Sequence, residues 1–434
     1  MELFDREQQS VDKTQKALLI YLDIYGKEDN GKGEFLELAK STGIEIFETL
    51  SLKISNPKAA HFIGTGKVEE LRIIVEENSI DMVIFSCELS PSQERNLEKS
   101  MCCQVLDRTG LILDIFAMRA ISFEGKLQVE LAQLKHLSTR LVGGWTHLER
   151  QKGGIGMRGP GETQLETDRR LVSIKIKSLH KKLDKVEKRR ELGRKSRTKN
   201  QLPMITLAGY TNAGKSTLFN KLTKSDIYAD DRLFATLDAT IRQVILPASG
   251  KAVIADTVGF INDLPQDLIQ AFKSTLEESI RADVLLHIID SFDENYLDKI
   301  SQVENILDDI GASNIPTILV MNKIDMLEDF EPRIDRDENN QPFRVWVSSV
   351  NNMGIDLLYQ ALSEKLSGII TKNTIYIEPF ATYVRSQIYD IGHIRNEKVD
   401  EFGGWILEIS VTKHYLNKLL NIKGVSLWQK KKTQ

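Results

Sequence analysis

Four short segments carry residue types and spacings that suit phosphate and base recognition. The first, GYTNAGKST at 209–217, fits the pattern G-x-x-x-x-G-K-[ST]. In such a loop, backbone N–H groups surround phosphates, the lysine reaches the β- and γ-phosphates, and the serine hydroxyl binds Mg²⁺. Every residue of this loop is therefore predicted to contact a nucleotide: Gly209, Tyr210, Thr211, Asn212, Ala213, Gly214, Lys215, Ser216 and Thr217.

The second segment, DTVG at 256–259, suits the metal and the γ-phosphate. Asp256 is predicted to hold Mg²⁺ through a water molecule, beside the direct ligand Ser216. The N–H of Gly259 is predicted to face the γ-phosphate, with Thr257 and Val258 also in the site.

The third and fourth segments suit a guanine base. In NKID at 322–325, the amide of Asn322 pairs with guanine O6 and N7, and the Asp325 carboxylate accepts from the N1 and N2 hydrogens. Adenine offers no such pair of donors, so this carboxylate selects guanine. The stem of Lys323 covers the base. In SSV, Ser348, Ser349 and Val350 present a backbone N–H to O6.

Between the first two segments, LFATLDAT at 233–240 supplies a candidate switch threonine. Thr236 is predicted to bind Mg²⁺ and sense the γ-phosphate, with Phe234 and Ala235 beside the nucleotide; the alternative is an ordinary surface threonine. Lys215, Thr236 and Gly259 are the predicted catalytic residues.

Two residues raise further hypotheses about catalysis. Phe260 stands where Ras-like enzymes have a water-orienting glutamine, and a phenyl ring cannot orient water, so intrinsic hydrolysis is predicted to be slow until a partner acts. The amide oxygen of Asn212 is a candidate ligand for a K⁺ ion among the phosphate oxygens.

These segments need a scaffold, and the pattern around them predicts a doubly wound α/β domain at 200–370. Apolar strands precede the segments, at 204–208, 251–257, 283–290, 316–323 and 343–349, and a helix is predicted at 216–222. Ligands bind at the carboxyl ends of parallel strands in such sheets.

The N-terminal residues 1–124 predict a separate, largely parallel α/β domain. Strands are predicted at 17–24 and 81–89, and helices at 67–78 and 92–101. GTGK at 64–67 lacks the phosphate-loop spacing and is interpreted as a helix N-terminal turn. The C-terminal residues 371–434 predict a small α/β domain with strands at 374–379 and 404–411.

Residues 125–199 predict an antiparallel helical hairpin with a glycine-rich tip at 143–168. Residues 175–199 contain twelve Lys/Arg and three acidic residues, a local charge of +9. Such a surface suits contacts with RNA phosphates. In the tip, Trp145 or His147 could stack on a base. The alternative interpretation is a flexible turn followed by a charged helix that faces only solvent. The predicted RNA contacts are Arg150, Lys152, Arg158, Lys181, Lys182, Arg189 and Arg190.

Composition excludes several classes of protein. The net charge of −4 confines any nucleic-acid contact to a local patch, and no apolar run reaches the ~18 residues that span a bilayer. The charged start predicts no signal peptide. The three cysteines form no C-x-x-C pair, and Cys102 and Cys103 are predicted to be buried. A monomer in the reducing cytoplasm fits these features.

The sequence resembles the HflX-type translational GTPases over nearly its whole length. Beside the general nucleotide motifs, GGIGMRGPGETQLETDRR at 153–170 separates this family from related ones. SSV departs from the commoner Ser-Ala form, which weakens the role of Ser349. The resemblance implies GTP and GDP binding, attachment to 23S rRNA of the large (50S) subunit, and GTP-dependent splitting of stalled or idle 70S ribosomes.

Two other functions are compatible with the residues. One is a GTPase in ribosome assembly or RNA maturation, although the sequence has no modification motif. The other is a protein-binding GTPase switch without RNA contact, which the +9 stretch argues against.

Overall fold

A computed structural model of the chain describes the following residues: 15–24, 31–143, 160–200, 202–223, 234, 240–246, 250–257, 259–262, 282–366, 370–391 and 393–428. The chain divides into two compact units. The first comprises residues 1–184, 232–234 and 265–271, and the second comprises the rest.

The first unit contains a four-stranded, wholly parallel sheet in the order β2-β1-β3-β4. Its strands are β1 (Lys16–Ile24), β2 (Glu45–Ile54), β3 (Met82–Phe85) and β4 (Gln104–Leu106). Four helices alternate with them: α1 (Lys32–Ser41), α2 (Thr65–Glu77), α3 (Pro91–Met101) and α4 (Arg108–Arg119). This arrangement confirms the predicted parallel α/β fold, because a parallel pair needs a crossover helix.

One local prediction for this unit agrees with the structure, and two local features differ from what the sequence indicated. Gly64 precedes α2 in an extended conformation, which confirms that GTGK begins a helix. β2 was not predicted, because its alternating pattern includes charged residues on its exposed positions. The burial predicted for Cys102 was wrong: Cys102 ends α3 with φ 54° and is exposed, whereas Cys103 is half-buried against the core.

The next two helices are α5 (Phe123–Gly143) and α6 (Pro160–Asn200). They pack along an apolar seam formed by Leu127, Leu131, Leu134, Val172 and Leu179. Helix α6 begins at Pro160, inside the segment 143–168 that was predicted to form the tip of the hairpin. Proline suits the first position of a helix, where its missing N–H has no partner to lose.

The second unit contains a seven-stranded sheet in the order β10-β11-β9-β8-β5-β7-β6. Only the two edge strands, β6 and β10, run antiparallel to their neighbours. The strands are β5 (Met204–Gly209), β6 (Thr240–Leu246), β7 (Gly250–Asp256), β8 (Val284–Asp290), β9 (Thr317–Asn322), β10 (Ile334–Arg336) and β11 (Pro342–Trp346). The described helices are α7 (Lys215–Thr223), α8 (Tyr296–Asp309) and α9 (Ile355–Leu366).

The central strands β5 and β8 of this sheet are almost wholly buried, and together with β9 they carry apolar side chains that form its core. The sheet therefore matches the predicted doubly wound fold. The carboxyl ends of β5, β7 and β9 lead directly into the phosphate loop and into the segments at 256–259 and 322–325, so one edge of the sheet carries all three.

The chain ends in a four-stranded antiparallel sheet in the order β13-β14-β12-β15. Its elements follow the sequence strand-helix-strand-strand-helix-strand: β12 (Ile370–Ile377), α10 (Tyr383–Ile391), β13 (His393–Val399), β14 (Trp405–Thr412), α11 (Lys413–Leu420) and β15 (Val425–Leu427). In the part of the chain that the structure describes, no helix is long and apolar enough to cross a membrane.

Candidate functional site

The loop between β5 and α7 has the backbone of a phosphate cradle. Gly214 has φ +87°, and a Cβ there would lie 2.2 Å from the Asn322 Nδ2 atom, so only glycine fits. Asn212 at the tip of the loop is exposed with φ 61°. Helix α7 starts at Lys215, and its N-terminal N–H groups and positive dipole end suit bound phosphate.

The Lys215 ammonium is buried under this loop. Its Nζ atom donates to the carbonyl oxygens of Gly209 and Tyr210, at 3.0 and 2.7 Å. Burial lowers the pKa of Lys215 to about 8, although the Asp256 carboxylate acts in the opposite direction. Near pH 8 the amine is therefore only partly protonated, whereas an ordinary lysine is fully charged at this pH.

This pKa leads to a prediction for nucleotide affinity. Phosphate oxygens favour the charged ammonium, so above pH 8 nucleotide binding must be coupled to proton uptake by Lys215. We expect the affinity for GDP to be nearly constant between pH 6.5 and 7.5, and to fall above pH 8 with a slope approaching about tenfold per pH unit. Titration with a fluorescent GDP analogue at each pH measures this slope.

The control for this titration is Lys221→Gln, which changes an exposed lysine of the same helix. It should reproduce the pH profile of the wild-type protein. An affinity that stays constant to pH 9 would contradict the role given to Lys215.

The two candidate metal ligands are in contact. The Ser216 hydroxyl donates to Asp256 Oδ2 at 3.0 Å, which joins the start of α7 to the end of β7. Thr257 is fully buried, and its hydroxyl donates to the Leu207 carbonyl at 2.6 Å, so its side chain secures neighbouring strands. Thr257 can therefore contact a nucleotide only through its backbone.

The segment after Asp256 lies directly against the phosphate loop. A Cβ on Gly259 would approach Thr211 Cγ2 to 2.8 Å and Lys215 Nζ to 3.0 Å. Next to it, the Phe260 N–H donates to the Gly209 carbonyl at 3.1 Å, and the Phe260 carbonyl accepts from the Thr211 N–H at 2.8 Å. The ring of Phe260 is buried, with 2% exposure. Phe260 is thus a packed residue whose backbone links the two segments.

Asn322 connects three of the predicted segments. Its Nδ2 atom donates to the Ala213 carbonyl at 2.9 Å. Its Oδ1 atom accepts from both the N–H and the hydroxyl of Ser349, at 3.0 and 2.8 Å. One amide hydrogen of Asn322 is then left for a base. Ser349 therefore acts through its side chain as well as its backbone.

The remaining base-site residues differ in exposure. Lys323 has φ 66°, and its ammonium forms an ion pair with Asp290 Oδ2 at 2.7 Å, which holds the stem in place. Asp325 lies in a short 3₁₀ helix and exposes its carboxylate. Ser348 is buried and its hydroxyl accepts from the Asn351 N–H, whereas Val350 is 68% exposed.

Several predicted residues lie outside the described residues or apart from this group. Ala235, Thr236, Val258, Arg150, Lys152, Arg158 and the side chain of Arg190 are not among those described, and neither are Trp145 and His147. Phe234 falls in the first unit, where its ring packs edge-on against Phe116 with centroids 4.6 Å apart. Thr217 is half-buried in α7. Their nucleotide or RNA contacts stay predictions.

The described part of the predicted RNA surface is a charged helix face. Lys181, Lys182 and Arg189 are all exposed on α6. Elsewhere on this helix, Lys175 pairs with Glu130 of α5 at 2.7 Å.

Sequence reasoning missed two residues, Lys299 and His287, that lie next to the phosphate loop. Lys299 of α8 lies 4.7 Å from the centre of the Tyr210 ring and pairs with Asp293. His287 of β8 lines a small cavity against the same loop, and burial, aided by Lys215, lowers its pKa to about 4. The sequence did contain a signal for His287, because a histidine is unusual inside an apolar strand. It contained no such signal for Lys299, because a lysine is ordinary on an amphipathic helix.

Comparisons with known families cover most of this chain. Residues 30–117 match the family model described as GTP-binding GTPase N-terminal, and residues 119–197 match the GTP-binding GTPase Middle Region. Residues 204–323 match the model described as 50S ribosome-binding GTPase.

Curated relatives agree with these models. A protein of Escherichia coli (strain K12) named GTPase HflX is 51% identical over 410 residues, which is 94% of this chain and 95% of the relative. A GTPase HflX of Caldanaerobacter subterraneus subsp. tengcongensis is 44% identical over 90% of this chain and 89% of its own. Among solved structures, a GTP-binding protein of Sulfolobus solfataricus in complex with GDP is 21% identical, covering 82% of this chain and 99% of its own, with a TM-score of 0.44.

Proposed function

Because this chain belongs to the HflX family of GTPases and is itself a GTPase, we propose that it binds the large ribosomal subunit and splits stalled or idle 70S ribosomes in its GTP form. The GTPase domain matches a model described as 50S ribosome-binding, and this match is the single observation that carries the proposal. Its place of action is then the cytoplasm, as a monomer on 23S rRNA.

The bound nucleotide is proposed to lie along one edge of the seven-stranded sheet. The phosphate loop and Lys215 hold the phosphates, while Asn322 and Asp325 hold guanine. The hydrogen bonds of Asn322 to Ala213 and Ser349 support this arrangement, because they fix the phosphate and base loops relative to each other. GTP selectivity and phosphate binding are then coupled through one buried amide.

Ser216 at the start of α7 and Asp256 at the end of β7 fit a Mg²⁺ ion. The Ser216 hydroxyl and the Asp256 carboxylate are oxygen ligands 3.0 Å apart, which is the chemistry that Mg²⁺ prefers. When bound, Mg²⁺ neutralises charge on the β- and γ-phosphates. Ser216 would bind it directly, with Thr236 as the second protein ligand and Asp256 acting through water. Asn212 would serve a K⁺ ion, and its exposed position at the loop tip supports this role.

Hydrolysis by the isolated protein is proposed to be slow. The buried ring of Phe260 offers no group to orient water, so Lys215 and the Gly259 N–H are left to stabilise charge on the γ-phosphate. A partner that reorganises the segment at 256–260 would complete the site. Such gating by a conformational step is common in GTPase switches.

Sedimentation of 70S ribosomes tests the proposed function. With this protein and a non-hydrolysable GTP analogue, we expect 70S particles to decrease, free 30S and 50S subunits to increase, and the protein to migrate with 50S, since the GTP form favours the split state. The same mixture with GDP is the control. An unchanged profile with no protein on any ribosomal particle would contradict the proposal and favour a protein-binding switch.

The exposed cations of α6 lead to a second prediction. We expect the triple change of Lys181, Lys182 and Arg189 to Gln to weaken 50S binding and to flatten its salt dependence, because each lost phosphate contact lowers the slope of log K against log salt by about 0.7–0.9. Binding measured at several salt concentrations gives this slope.

A matched control changes three exposed lysines elsewhere, at Lys53, Lys67 and Lys99. If log K falls equally steeply with log salt in the wild-type protein and in the α6 variant, the three cations of α6 are solvated and do not contact RNA phosphates.

A role in ribosome assembly or RNA maturation is the alternative function, and binding to 50S precursors without any splitting of 70S would favour it.

A further inference from the structure

His287 is a buried titratable side chain next to the phosphate loop, and neither nucleotide nor metal binding, as described above, uses it. It lies within β8, where six of the seven residues are buried, and its own side chain is 2% exposed. Leu286 and Ile288 belong to the main core of the sheet, so alternation along the strand turns the His287 ring to the opposite face. Its neighbour in register on β5 is Ala208, whose short side chain leaves room beside the ring.

His287 and the phosphate loop line the same cavity, which has a volume of about 80 Å³. The loop residues 210–213 line one side, the end of β8 at 287–290 lines the second, and the first turn of α8 lines the third. The lining includes the carboxylates of Asp290 and Asp293, which are polar partners for water. Because a water molecule fills about 30 Å³ in the liquid, the cavity suits about two water molecules.

The Nδ1 atom of His287 is buried and has no hydrogen-bond partner among the residues that the structure describes. Native protein interiors satisfy nearly all of their buried polar atoms, so this atom calls for a ligand. The ring is neutral at physiological pH, because burial, aided by the charge of Lys215, lowers the pKa of His287 to about 4. A neutral imidazole has one donor and one acceptor nitrogen, and water pairs with either, so Nδ1 suits water in both tautomers.

Direct hydrogen bonds hold the phosphate loop near its two ends. The Gly209 carbonyl accepts from the Phe260 N–H, and the Asn322 side chain donates to the Ala213 carbonyl. Between these points, Asn212 has φ 61° and lies at the exposed tip of the loop. The cavity thus lies behind the middle of the loop, between the points where direct contacts hold it.

We propose that His287 is a positioning residue for nucleotide binding, and that its Nδ1 atom holds the phosphate loop from behind through water molecules in this cavity. A water-mediated hydrogen bond is nearly as favourable in enthalpy as a direct one. A loop that is held in its binding geometry before phosphate arrives loses less freedom on binding, which increases the affinity. His287 acts through the loop and does not touch the nucleotide. The inference rests on the proposed position of the nucleotide at this loop.

Two substitutions of His287 in the full chain separate positioning from packing. His287→Leu keeps a side chain of similar size without a polar atom, so we expect the dissociation constant for GDP to rise about tenfold, as for one lost hydrogen bond. The unfolding temperature of the nucleotide-free protein should not fall, since leucine suits an apolar strand. His287→Asn places an amide atom near the position of Nδ1, so it should stay within about threefold of the wild-type affinity.

The matched control is Leu285→Val, which removes one methylene group from a fully buried position on the same face of β8, two residues further from the loop. It should lower the unfolding temperature, because it leaves a small cavity in the core, and it should bind GDP as the wild-type protein does. Titration with a fluorescent GDP analogue at pH 7 and calorimetry measure the two quantities for each variant.

Nitrogen-15 NMR of histidine-labelled wild-type protein tests the inference even if the leucine variant fails to fold. The chain has seven histidines, and the signal of His287 is the one that is absent from the spectrum of His287→Asn. We expect its Nδ1 resonance to stay at a neutral-ring position across neutral pH, and to shift when GDP saturates the protein, because the loop that it supports then holds phosphate.

Three results would overturn the inference: wild-type GDP affinity in the leucine variant, equal losses in the leucine and asparagine variants, or an Nδ1 resonance that GDP does not move. An equal loss in Leu285→Val would overturn it too, because the effect would then belong to the packing of β8. Lys215→Ala separates this inference from the proposed phosphate site. If Lys215→Ala loses GDP binding and His287→Leu does not, only the role of His287 is wrong; if Lys215→Ala binds GDP tightly, the phosphate site is wrong as well.

Discussion

Lys215→Ala is expected to abolish measurable GTP binding and hydrolysis. The ammonium is the buried cation of the phosphate loop, and a hydrogen bond to a charged group contributes about 1.5–3 kcal/mol. Contacts with two phosphate groups then total about 3 kcal/mol or more, so the dissociation constant for GTP should rise at least about a hundredfold. Titration with a fluorescent GTP analogue measures it, with phosphate release as the second assay.

This change should leave the fold intact. Asp256, the carboxylate that acts on Lys215, also accepts a hydrogen bond from the Ser216 hydroxyl, so the change does not leave this buried carboxylate without a partner. Lys221→Ala, on the exposed side of α7, is the matched control and should keep normal affinity. Tight GTP binding by the Lys215 variant, at an unchanged unfolding temperature, would refute the assignment of the phosphate site.

Asp325→Asn is expected to change the choice of base. The exposed carboxylate is proposed to accept from guanine N1 and N2, and an amide can accept only one of these hydrogens while its own N–H groups face the other. We expect GTP affinity to fall roughly ten- to a hundredfold, in line with a lost charged hydrogen bond. Xanthosine triphosphate, with an oxygen at position 2, should then bind better than it binds the wild-type protein.

Competition between GTP and xanthosine triphosphate measures this change in selectivity. Glu328→Gln removes a nearby exposed acid and should leave the preference for GTP unaltered. If the Asp325 variant keeps the wild-type ratio of the two affinities, the guanine-recognition role belongs to another residue.

The fold class and the family followed from local sequence patterns. Apolar strands followed by a glycine loop and an amphipathic helix specify a nucleotide-binding sheet, because spacing in the chain alone sets the geometry of a strand-loop-helix turn. The same logic did not detect the strands β2, β4, β6, β10, β13 and β15. Edge and half-exposed strands such as β2 and β6 carry polar residues on their open side, and their pattern resembles that of a loop.

The sequence identified the residues of the site as separate segments, but it did not show how these segments contact one another. The loop at 209–217 and the segments at 256–259 and 322–325 were found because each is contiguous. The start of α6 at Pro160 was missed, since glycines on both sides of this proline favour a loop locally. Helix packing along the seam with α5 stabilises the helix beyond what its own residues predict.

The sequence by itself determined which residues can bind a guanine nucleotide, because residue type and short-range spacing decide hydrogen-bonding chemistry. Only the tertiary structure decided how they act together. It buried Lys215 and lowered its pKa, packed Phe260 against the phosphate loop, and made Asn322 a link between loops more than 100 residues apart. It also placed His287 behind the phosphate loop. These properties depend on solvent exclusion and on contacts between distant segments, which no local pattern specifies.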